Sequence, residues 1–132
     1  DALGGAPGVH SARFAGADAD DAANNAKLIA ELRRAADAPI EGDAQRPAPT
    51  GWAAHYVCVI ALAERGRILT VVEGRAHGLI LHTPRGSGGF GYDPYFFYPP
   101  LGKSYAELTA DEKFAVSHRG EAFRKLLDDV VR

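Results

Sequence analysis

The chain has 132 residues, enough for one core, and its 46% hydrophobic and 24% charged residues are ordinary for a globular protein. A net charge of −2, from 15 basic and 17 acidic residues, excludes a basic surface built for nucleic acid, although a small phosphorylated ligand needs only a few local cations. The single cysteine, Cys58, excludes an internal disulfide and a cysteine-based zinc site, and the histidines at 10, 55, 77, 82 and 118 form no close ligand pair.

No apolar run reaches the ~20 residues that span a bilayer. The Gly-rich start also lacks the basic-then-apolar order of a signal peptide. The expectation is therefore a cytoplasmic protein without a membrane segment. The chain starts at Asp1 and has no methionine, which predicts a processed chain or a piece of a longer one.

In chain order, residues 1–16 ("DALGGAPGVHSARFAG") read as an irregular lead-in in which His10 has no partner and Arg13 lies on the surface. Asp18, Asp20 and Asp21 then mark a helix start. Leu28, Ile29 and Leu32 recur at helical spacing, and Pro39 closes about four turns. Residues 37–51 form a polar connector. The apolar run 52–63 ("WAAHYVCVIALA") predicts a strand covered on both faces, with Trp52 packed and Cys58 a small core residue. "ERGR" (64–67) predicts a hairpin turn and "ILTVVEG" (68–74) the returning strand, while Gly74 and Gly78 mark bulges or close backbone approaches. "YFFY" (95–98) reads as a short packed strand. "TADE" (109–112) fits a capping box opening a short helix. Ser117 can cap a final helix, whose Phe123, Leu126, Leu127, Val130 and Val131 form one apolar stripe. The order predicts a mixed α/β domain spanning 1–132, a mixed sheet with flanking helices.

The segment 86–100, "GSGGFGYDPYFFYPP", concentrates four glycines, three prolines and six of the 12 aromatic residues. Gly86, Gly88 and Gly91 match a dinucleotide pattern, but that motif needs a helix at once, and Pro94, Pro99 and Pro100 forbid it. Phe96 and Phe97 read as core. Phe90, between two glycines, offers a ring on which a purine can stack, an interaction worth about 1–3 kcal/mol per base. Asp93 either caps the turn or accepts from a purine N–H. In "EKFAVSHRG" (112–120), Lys113 and Ser117 share a helix face, and His118 and Arg119 sit where backbone N–H groups lack intrahelical partners. The side chains of Lys113, His118 and Arg119 are mostly donors, suited to a carbonyl oxygen or a phosphate. The plainer reading has Lys113 and Arg119 solvated and His118 capping.

"GGFGYDPYFF" together with "GKSYAELTADEKFAVSHRG" resembles the inosine/xanthosine triphosphate pyrophosphatases, and the similarity runs from "DALGGAPGVHSARFAG" through "EGRAHGLI" to the last helix. The pair "FGYD" and "SHR", about 25 residues apart, is the specific part. The resemblance implies hydrolysis of deaminated purine nucleoside triphosphates to monophosphate and pyrophosphate. It also implies an elongated two-lobed α/β fold, Mg²⁺, and a homodimer. Phe90, Gly91, Tyr92 and Asp93 would hold the base, and Lys113, His118 and Arg119 would complete the site. The family's phosphate loop, metal-binding carboxylate and catalytic acid lie upstream of the part matched here. The expectation is thus a C-terminal portion carrying base recognition without catalytic or metal residues, inactive alone. Two other classes stay open: a non-catalytic nucleotide-binding module, and a Maf-like pyrophosphatase of modified pyrimidine nucleotides.

Overall fold

A computed structural model describes residues 1–35 and 51–131, so the connector expected at 37–51 lies outside the described residues except for Gly51. In chain order the elements are a 3-10 turn at Gly8–Arg13, helix α1 (Asp21–Arg34), strands β1 (Gly51–Glu64), β2 (Arg67–Leu81), β3 (Phe96–Tyr98) and β4 (Lys103–Ser104), and helices α2 (Ala110–Val116) and α3 (His118–Val131). The strands form one sheet in the order β1-β2-β3-β4. Strand β3 pairs antiparallel with both neighbours, setting Leu79 opposite Phe97 and Phe97 opposite Ser104. The expected α/β class with flanking helices is what forms.

The chain divides into two compact units, with divisions inside β1, inside β2 and between Leu108 and Thr109. The first comprises Asp1–Ala54 and Gly78–Leu108. Its buried side chains include Leu28, Ile29 and Leu32 of α1, the positions chosen by helical spacing, with Trp52, Leu81, Phe96, Phe97 and Tyr105. Trp52 packs on the His82 ring at 4.3 Å between centroids, and Phe96 on Tyr105 at 4.7 Å. Gly78 belongs to this unit, and a Cβ there would collide with the Phe97 carbonyl. The glycine marks a close approach, the second of the two alternatives drawn from the sequence.

The second unit comprises His55–His77 and Thr109–Arg132. Its ribbon turns at Arg65 and Gly66, where φ is 51° and 79°. Two successive positive values are what a tight two-residue hairpin needs to follow strand twist, so "ERGR" performs as expected. Helix α3 lies along β2: Lys125 Nζ donates to the Glu73 carbonyl at 2.8 Å, Arg75 N to Glu121 at 3.2 Å, and Thr70 Oγ1 to Asp129 at 2.9 Å. The contact is close because small residues face it. Ala122 is fully buried, and a Cβ on Gly74 would overlap the His118 carbonyl.

Three expectations need correcting. Strand β1 is not covered on both faces: from His55 onward its side chains alternate between exposed and half-buried, and Val57 and Val59 stand in solvent. Helix α3 lies against one face only of the adjoining ribbon strand, which also leaves Cys58 half-buried. The stripe on α3 forms, but Phe123, Leu127 and Val130 point outward, because the face meeting β2 is the one carrying Ala122. Val131's side chain is outside the described ones. Finally, His10 has a partner, Arg13, at 2.8 Å.

Candidate functional site

Helix α1 is started by Asp20, whose Oδ1 accepts from Ala23 N at 2.8 Å, the ordinary use of an N-cap acid. The next turns carry Asp21, Asn24 and Asn25 in place of better helix formers. Each reaches away from the helix. Asn24 takes Ala15 N at 2.8 Å and gives Nδ2 to the Ala12 carbonyl at 2.9 Å, so the lead-in is fastened to α1. Asp21 Oδ2 accepts from Gly91 N at 2.8 Å, and Asn25 Nδ2 donates to Gly91 O at 3.0 Å.

The loop between β2 and β3 is braced within the same unit. Gly89 and Gly91 have φ of 69° and 61°, values that L side chains adopt only at a cost. They enclose a tight turn in which Phe90 N donates to Asp93 Oδ2 at 3.0 Å and Asp93 N to Phe90 O at 3.2 Å. Asp93 is only 4% exposed, so of the two roles read from the sequence the structure displays turn capping. Tyr92 gives its hydroxyl to the Ser11 carbonyl at 2.6 Å. Burial, then the nearby Asp21 charge, pushes that hydroxyl up to about 12, so it remains a donor at neutral pH. Farther along, Gly88 N meets Ala106 O at 3.0 Å, Arg85 N meets Pro94 O at 2.9 Å, and Ser104 Oγ donates to Arg85 O at 2.6 Å. Inside this hydrogen-bonded frame Phe90 remains 55% exposed. A ring of that size held outward by a rigid backbone is a surface for a flat, apolar ligand face.

The second constellation lies in the other unit. Thr109 and Glu112 form the expected capping box, with Glu112 N to Thr109 Oγ1 at 3.1 Å and Thr109 N to Glu112 Oε1 at 2.9 Å. Helix α2 stops at Ser117, whose backbone is extended and whose Oγ accepts from Gly120 N at 3.0 Å to begin α3. Arg124 closes the break from the other side by donating to the Phe114 and Ala115 carbonyls at 3.1 and 3.3 Å. Against this frame Lys113 and His118 are half-buried and Arg119 is exposed. The His118 ring stacks on Tyr56 with 4.5 Å between centroids and 14° between planes, a contact that fixes the imidazole's plane.

Phe90, Gly91, Tyr92 and Asp93 thus share one loop of the first unit, and Lys113, His118 and Arg119 share the helix break of the second. The sequence reading missed Asp21, Asn24 and Asn25, having taken the acids only as a helix start. The available signal was a pair of asparagines in the first turns, where helix propensity gives no reason for them. Glu73 pairs with Arg75 at 3.0 Å, and that bond holds its carboxyl below the usual range. Among the described residues no group of three His, Cys, Asp or Glu side chains is placed to hold a metal ion, and no helix is long and apolar enough to cross a membrane.

The model of the Ham1 family matches residues 1–129. A protein of Geobacillus kaustophilus named dITP/XTP pyrophosphatase is 50% identical over 126 residues, which are 96% of this chain and 56% of that protein. One of Syntrophobacter fumaroxidans bearing the same name is 49% identical over 125 residues, 95% of this chain and 48% of that protein. Among solved structures, a HAM1 protein from Coxiella burnetii superposes with a TM-score of 0.84 at 38% identity, covering 98% of this chain and 61% of that one. The chain therefore spans about half to three-fifths of the length of these relatives. With a family model matched over nearly its whole length, the chain belongs to the Ham1 family.

Proposed function

We propose that these residues are the base-recognition portion of a longer pyrophosphatase. It converts deaminated purine nucleoside triphosphates (dITP, ITP, XTP) to the monophosphate and pyrophosphate. The observation that carries this reading is Phe90, exposed on a loop whose backbone is hydrogen-bonded on every side. The names of the relatives at about half identity support the substrate class.

In this reading the purine lies on Phe90, while Gly89 and Gly91 keep neighbouring side chains from crowding the ring. Asp93 holds the turn that aims it. Lys113, His118 and Arg119 supply donors to the purine's 6-keto oxygen. Adenine carries an amino group at that position, so donors facing it would be left unpaired. Discrimination of this kind reaches ~10⁴-fold when the mismatched groups are buried. Among the described residues no carboxylate cluster is placed to hold a divalent ion. Binding of Mg²⁺ and attack on the α-phosphate are assigned to the part of the whole protein outside these 132 residues. We take that protein to be a cytoplasmic homodimer.

The test is pyrophosphate release by the whole protein with Mg²⁺. Rates on dITP, ITP and XTP are expected to exceed the rate on ATP by orders of magnitude. Equal rates on all of them reject the donor argument. Binding without turnover identifies a nucleotide-binding module instead, and preference for modified pyrimidine nucleotides identifies a Maf-like activity.

A further inference from the structure

We infer that Asp21 and Asn25 are positioning residues for the base-binding loop, gripping Gly91 from both ends so that Phe90 presents its ring in one orientation. The inference rests on the reading of Phe90 as a purine platform and deepens it. Residues four apart on a helix share a face, and here that face meets a single residue of a distant loop. Gly91 N donates to Asp21 Oδ2 at 2.8 Å, and Gly91 O accepts from Asn25 Nδ2 at 3.0 Å.

Gly91 also lies inside the turn closed between Phe90 and Asp93, but no side chain packs where its own would be. Glycine has the widest backbone freedom of any residue, and no atom lies within 4 Å of where a Cβ on Gly91 would stand. Its φ of 61° goes with the Phe90–Asp93 turn and with the two bonds from α1. A carboxylate accepting from a backbone N–H is the stronger class of such bonds, so Asp21 supplies more of the restraint and Asn25 sets the direction of the carbonyl. Phe90 is the preceding residue, so the peptide plane that joins the two helps set where its Cα–Cβ bond points, and its χ rotamer sets the ring from there.

Asn25 carries a second sign of a special role. The residue is 7% exposed, and its Oδ1 is buried without a hydrogen-bond partner. A buried orphan acceptor costs free energy that an apolar side chain of the same shape would not. As a contributor to stability alone, asparagine is a poor choice at this position. As the donor that orients Gly91, it has a reason to be there.

The test uses the whole protein with two readouts: amide hydrogen exchange at Gly91, and titration with inosine, which carries the 6-keto base and no phosphate. Asp21→Ala is expected to speed Gly91 exchange about tenfold, with the amides of Leu28, Ile29 and Leu32 unchanged. Asp21→Asn, which keeps an acceptor, should restore most of the protection. Asn25→Leu removes the grip together with the orphan acceptor, so its melting temperature should equal or exceed that of the unsubstituted protein while inosine affinity falls about tenfold. Unchanged Gly91 exchange in Asp21→Ala overturns the inference, as does affinity that falls only in proportion to lost stability. Inosine binding that ignores Phe90→Ala, or no inosine binding at all, refutes the platform reading. The exchange measurement then decides the bracket by itself.

Discussion

Gly89 and Gly91 stand two residues apart in one loop with nearly the same φ, 69° and 61°, yet they answer to different constraints. A Cβ on Gly91 meets open space, so alanine there should cost only the left-handed backbone strain, roughly 1–2 kcal/mol. A Cβ on Gly89 runs into Asp93 Oδ2, the acceptor of the Phe90 N–H. Alanine at 89 should therefore add the loss of that bond, about 1 kcal/mol more. Chemical denaturation should place the midpoint of Gly89→Ala below that of Gly91→Ala, and equal losses would contradict the capping role of Asp93. At this scale the sequence was partly legible. Phe90 between glycines announced an uncrowded ring, and Asp93 before Pro94 announced a turn. The partners on α1 were invisible, because nothing local to residues 21–25 points to a loop some 70 residues away.

Elements were more legible wherever their signals are local. The capping box at Thr109, the turn at Arg65–Gly66 and the restart of the helix at Ser117 all depend on residues within four positions of one another. Which face of an element is covered is decided by its neighbours. The sequence therefore revealed the stripe on α3 but not that Ala122, opposite Gly74, would be the contact. A second capping box shows how such local devices bear on stability. Ser104 N donates to Glu107 at 3.0 Å, and Glu107 also pairs with Arg85 at 3.1 Å. The Ser104 N–H first, and the Arg85 charge after it, hold the Glu107 carboxyl below its usual value of 4.5. A carboxyl depressed in the folded state contributes stability that is present above the unfolded value and lost as pH falls through the folded one. Denaturation of the chain and of Glu107→Gln, compared from neutral pH downward, should show a stability gap that is steady above 4.5 and closes below it. A gap that widens toward acid would contradict this assignment.

For the molecule as a whole, β1 and β2 run through both compact units, and the two motifs that the sequence linked by spacing fall one in each. The loop motif comes from Phe90 to Asp93; the donor motif comes from Lys113 to Arg119. Because the chain spans only about half to three-fifths of its relatives' length, the chemistry of phosphate cleavage has to be measured on the whole protein. The claim at the centre is that the purine rests on Phe90. In the whole protein with Mg²⁺, Phe90→Ala should raise KM for dITP by roughly five- to a hundred-and-fiftyfold, the loss of about 1–3 kcal/mol of stacking, and leave kcat nearly unchanged. A variant whose KM for dITP matches that of the unsubstituted protein would contradict it.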